Sequence, residues 1–87
     1  MGERVEVWLG EQGRPARLVH GGARWRVIDR PTPLTEEPDW IPPEITHPPA
    51  QLVGWRCTVR REIDREVIVV DLRTGDDGWV VARTYEG

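Results

Sequence analysis

The chain has 87 residues, a formal net charge of −3, a hydrophobic fraction of 38% and a charged fraction of 31%. That balance fits one small globular domain over residues 1–87, and excludes a disordered chain, a fibre and a helical membrane span, since no run of about 18 apolar residues occurs. Neither lysine nor serine occurs, which removes Schiff-base and serine-nucleophile chemistry.

Residues 3–9 alternate, with Val5, Val7 and Leu9 on one face, and predict a strand. Trp8 falls on the opposite face. This charged, alternating start carries neither a signal-peptide apolar core nor a complete myristoylation signal, so a cytoplasmic protein is expected. Gly10–Gly13 predict a turn, and Pro15 a strand start or edge. Ala16, Leu18 and His20 then share one face, opposite Arg17 and Val19. Gly21-Gly22 supplies the two positive φ angles of a type I′ turn. The next strand, residues 23–29, turns Ala23, Trp25 and Val27 inward and Arg24, Arg26 and Ile28 outward.

Residues 31–50 hold seven of the eight prolines and predict neither a regular helix nor a central strand. Glu36, Glu37, Asp39 and Glu44 give the segment a charge of −4 with no basic residue, against +1 for everything outside it. Trp40, Ile41 and Ile45 argue for partial docking of a long loop, with Thr35 able to cap a short helical turn. Pro42-Pro43 and Pro48-Pro49 favour polyproline II, a shape that groove-type domains recognise. Three strands follow: residues 52–61, with Trp55, Cys57 and Val59 opposite Arg56, Thr58 and Arg60; residues 66–72, a β-branched apolar run; and residues 79–85. Residues 62–65 and 74–78 make the reversals. The expected fold is all-β: a small six-stranded antiparallel meander, closed into a barrel or strongly curled, with a long proline-rich loop between strands 3 and 4. Trp25, Trp55 and Trp79 are the expected anchors of its interior.

No catalytic constellation emerges. Cys57 is the lone cysteine, which precludes an internal disulfide, and its inward position reads as core. His20 and His47 are the remaining soft metal ligands, too few for structural zinc. Asp76 and Asp77 lie in a turn where Asp is favoured for backbone reasons. No enzyme activity, cofactor or metal is expected.

The candidate binding surface consists of Trp8, Arg17, Arg24, Arg26, Arg56, Arg60 and Trp40. Outward arginines beside an exposed indole are the ingredients of a single-stranded nucleic acid surface. The plainer reading is a solvated face on which the arginines pair with acids such as Glu6, Glu62 and Glu66. The net negative charge favours that second reading and a protein partner over nucleic acid. The all-arginine base composition follows from GC-rich coding or from phosphate and carboxylate recognition. A non-enzymatic interaction module, monomeric or weakly self-associating, is expected. The alternative is a homo-oligomerising structural domain that pairs through Val67–Leu72 and Trp40.

Val5-x-Val7, Gly13-Arg14-Pro15-Ala16, Trp25-Arg26-Val27, Trp55-Arg56-Cys57-x-Val59 and Gly78-Trp79 through Tyr85 span most of the chain. In these motifs it resembles a family of small uncharacterised β-domains from actinobacteria, often encoded near Y-family translesion polymerases. The resemblance implies an accessory or interaction domain linked to DNA damage tolerance, and no catalytic residue. The long proline segment departs from the shorter, Trp-containing connection that the family pattern leads one to expect.

Overall fold

The computed structural model describes residues 3–36, 51–75 and 78–86. Within them run seven antiparallel strands: β1 Glu3–Leu9, β2 Pro15–His20, β3 Ala23–Val27, β4 Thr32–Glu36, β5 Gln51–Arg61, β6 Val67–Gly75 and β7 Gly78–Glu86. Their order is β3-β2-β1-β7-β6-β5-β4, and β3 also pairs with β5. Six strands therefore close into a barrel, with β4 as an extra strand outside the ring. β5 serves two neighbours along one edge, with Gln51–Arg56 holding β4 and Val59–Arg61 holding β3. No helix among the described residues is long and apolar enough to cross a membrane.

Period-two burial builds the interior. Leu18 stands opposite both Val7 and Trp25, Val27 opposite Val59, Cys57 opposite Val70, and Leu72 opposite Trp55 and Val81. Val5, Leu18, Trp25, Cys57, Val59, Val70, Leu72 and Val81 form the buried core. Trp25 is 5% exposed, and its indole N–H donates to the His20 carbonyl at 3.3 Å. Trp55 and Trp79 are only partly buried against this core. A six-stranded ring is narrower than the eight-stranded barrels whose bore side chains just fill, so one indole and medium-sized aliphatic groups occupy it.

The Gly21-Gly22 turn has the expected positive φ angles of 61° and 75° and sets the β2–β3 register, with His20 opposite Ala23. Leu9, expected inward, is exposed. The β1–β2 register slips between Trp8 and Leu9, and such a slip takes the following side chain off the inward face. The six expected strands form the barrel, and the proline segment adds a seventh, β4, at its start. Pro33 is tolerated there because β4 is an edge strand, where a missing N–H leaves no ladder bond unmade. Thr35, expected as a helix cap, pairs with Leu52 in the same strand. Residues 37–50, with the expected docking of Trp40, Ile41 and Ile45 and the Pro42-Pro43 and Pro48-Pro49 readings, lie outside the described residues.

Gly54 is fixed by a close approach of backbones. A Cβ at this position would stand 1.9 Å from the Leu72 carbonyl oxygen of β6, and a carbonyl in a paired strand cannot swing aside. Gly54→Ala is expected to lower stability by about 1–3 kcal/mol, the usual cost of overpacking. Gly75→Ala, whose Cβ meets nothing nearer than 3.8 Å, is expected to cost clearly less. Urea denaturation of the two variants checks both.

Candidate functional site

Strand register gathers the outward side chains of β1, β2, β3 and β5 into rows. Trp8 stands opposite Arg17, Arg17 opposite Arg26, and Arg26 opposite Arg60. At a strand spacing of about 4.8 Å, three guanidinium-bearing residues fall within about 10 Å along one transverse row. Val67 of β6 stands opposite Arg60 and continues it. All three arginines are exposed, and Trp8, at the row's end, is 51% exposed. A parallel row runs Glu6, Val19, Arg24, and the Glu62 N–H donates to the Arg24 carbonyl at 2.9 Å.

Like charges set directly opposite each other on a sheet are destabilising. Three arginines elsewhere are neutralised, while Arg4, Arg14, Arg30, Arg65 and Arg83 form no ion pair among the described residues. Arg56 pairs with Asp71, Arg61 with Asp64 and Glu66, and Arg73 with Glu36. Among the described residues, no carboxylate forms an ion pair with Arg17, Arg24, Arg26 or Arg60. Of the three acids weighed as partners for this face, Glu66 belongs to Arg61, and neither Glu6 nor Glu62 closes on an arginine of the row.

The Trp8–Arg17 end of the first row and the second row border an open groove of about 710 Å³, within the size range of small-ligand clefts. Glu6, Trp8, Arg17, Val19, Arg24 and Glu62 are among the residues that line it. Of the seven residues chosen from sequence, Trp8, Arg17, Arg26 and Arg60 thus form one row, with Arg24 in the groove beside it. Trp40 lies outside the described residues.

Arg56 belongs to a different assembly. It is four residues from Arg60 along β5, about 13 Å in extended chain, and faces Asp71 across the β5–β6 ladder. Its Nε donates to Asp71 Oδ1 at 2.7 Å and its Nη2 to Oδ2 at 3.1 Å. The same Nη2 donates to the Tyr85 hydroxyl at 2.9 Å, and that hydroxyl donates to Asp71 Oδ2 at 2.8 Å. Arg56 and Arg83 both lie over the Tyr85 ring, 5.0 and 4.9 Å from its centre. Asp71, 8% exposed, is held below the usual carboxylate range by the Arg56 hydrogen bonds first, then by Tyr85, against the opposing effect of burial. This carboxylate is the central residue that sequence reasoning missed. Its signal was an Asp inside the apolar run of β6, in register with an Arg.

Cys57 is wholly buried, and burial above all, aided by the charges of Asp29 and Asp71, pushes its thiol up to about 12. A thiolate nucleophile is therefore disfavoured at neutral pH. Asp29 accepts bonds from both the backbone N–H and the hydroxyl of Thr58, at 3.0 and 2.7 Å, pinning the segment after β3 to β5. His47 lies outside the described residues.

Because the folded-state pKa of Asp71 is depressed, its ionised form contributes stability that is fully present above the ordinary value of 3.8. That contribution is lost as pH falls through the folded value. Asp71→Asn is expected to cost about 1–2 kcal/mol at pH 7, the lower part of the range for a buried partner, because Arg56 is half exposed and screened. The gap from wild type should narrow below pH 3.8 in acid-denaturation curves. Cys57 should stay inert to a thiol reagent in the native state and react only on unfolding.

Neither a protein-family model nor a curated protein nor a solved structure matches this chain.

Proposed function

We propose that the chain is a non-catalytic binding module that takes an anionic partner on the outer face of β1, β2, β3 and β5. One observation carries this reading: Arg17, Arg26 and Arg60 stand in direct register, exposed and without an ion pair among the described residues, with Trp8 at the end of the row. A sheet selected for stability alone would alternate signs across these positions, as the chain does at Arg56 and Asp71. An external anion would neutralise the row and convert the repulsion into binding energy. The net charge of −3 does not oppose this at contact distance, because charges farther than about 8 Å are largely screened at physiological ionic strength.

Homo-oligomerisation through Val67–Leu72 has less to work with. Val70 and Leu72 are committed to the core, and Asp71 to its arginine and tyrosine partners. A cytoplasmic setting fits a single buried thiol, and the family resemblance supplies an accessory role in DNA damage tolerance as the context for such a face.

The triple substitution Arg17→Gln, Arg26→Gln, Arg60→Gln is expected to elute from immobilised heparin at lower salt than wild type. Its stability should be equal to or higher than wild type, by up to about 1 kcal/mol. The charge-matched control Arg4→Gln, Arg14→Gln, Arg30→Gln should elute close to wild type. Equal elution of the row variant and wild type would contradict the reading.

A further inference from the structure

We infer that the anion taken by this face is a single-stranded nucleic acid, its backbone lying along the Arg17–Arg26–Arg60 row and one base stacked on Trp8. This inference rests on the binding-face reading above and adds the class of partner.

The face combines the two kinds of group that a single strand offers partners for. Arginine presents a planar fork that matches phosphate oxygens bidentately. An exposed indole stacks on any base, the usual platform of single-strand binding surfaces. Trp8 directly follows Arg17 in the row, so one chain of alternating phosphates and bases meets both kinds of group. The groove beside the row supplies room for the base. Glu6 and Glu62 line the same groove, where carboxylates repel phosphate and can accept from exocyclic amino groups, which directs the backbone to the row and the base into the groove.

The fold also disfavours a peptide at the arginines. An acidic peptide gains much of its affinity by adding a strand to an open sheet edge. The arginines of the row have no such edge: β2 and β3 are paired on both sides there, and β5 is paired with β3 and β6 at Arg60, whereas β1 is paired with β2 alone at Trp8, its ladder to β7 covering Glu3–Val5. At the arginines, only side chains face the ligand. The surface is also the convex outside of a narrow barrel. A duplex, stiff over about 150 base pairs, meets such a surface along one line. A single strand can follow its curvature.

The test uses the whole chain and three probes: a mixed-sequence DNA single strand of about 12 nucleotides, longer than the row's span of about 15 Å; the matching duplex; and a glutamate peptide of equal charge. The single strand should bind at least about tenfold more tightly than the duplex or the peptide. Its log affinity should fall with log salt at a slope of about −2, as expected for three phosphates at about −0.7 each. Arg26→Gln should reduce that slope by about 0.7. Trp8→Ala should weaken binding about tenfold with the slope unchanged, and Trp8→Phe should restore most of the loss. Circular dichroism confirms that each variant is folded. Duplex binding as tight as single-strand binding overturns the inference, and so does a salt slope indifferent to Arg26→Gln. Binding of the peptide without the single strand overturns the partner class and leaves the binding-face reading intact. Failure of all three probes at low salt overturns both.

Discussion

The pairing of β3 with β5 is the constraint on which the rest of this structure depends. Three residue pairs, Trp25 with Arg61, Arg26 with Arg60 and Val27 with Val59, join the two ends of what would otherwise be an open sheet. Their inward members bring the indole of Trp25 under the guanidinium of Arg61, 5.2 Å from the ring, and set Val27 on the fully buried Val59. Closure matters for a chain this short, because a small domain buries a small share of its surface and an open sheet would leave two edges unpaired. The outward member of the same junction is Arg26 against Arg60. Barrel closure therefore stabilises the interior and sets two like charges opposite each other on the outside.

That cost sets the two polar assemblies of the exterior apart. Around Asp71, every charge has a partner: Arg56 is bidentate to the carboxylate, Tyr85 bridges both, and Arg83 lies over the ring. This cluster crosses β5, β6 and β7 and ties together the half of the barrel opposite β2. Arg61 is likewise held by Asp64, whose own carboxyl sits at about 2 beside it. Arg17, Arg26 and Arg60, in register across β2, β3 and β5, stand unneutralised by any described carboxylate. The first pattern is what folding stability requires, and the second is what a face reserved for an anionic ligand requires.

Much of the barrel could be read from the chain because the governing signals are local. Alternation placed Val5, Leu18, Trp25, Cys57 and Val59 inside, and two consecutive glycines fixed the tightest hairpin. Proline density misled at β4, since a rule against central strands does not exclude an edge strand opposite Gln51–Arg56. The arginine row was only half legible. Period two identified Arg17, Arg24, Arg26, Arg56 and Arg60 as outward, but not which of them meet. That depends on the pairing register across strands separated by more than thirty residues. The same ignorance of register left Arg56 grouped with Arg60, when a buried aspartate on β6 claims it.

A double-mutant cycle between Arg26 and Arg60, read as folding free energy at low and at high salt, tests this account most directly. The account predicts an unfavourable coupling between the two arginines at low salt, of the order of a few tenths of a kcal/mol to about 1 kcal/mol. It also predicts that this coupling fades as salt screens the pair. A coupling that is zero or favourable at low salt would contradict it, for the two residues would then be either apart or already neutralised.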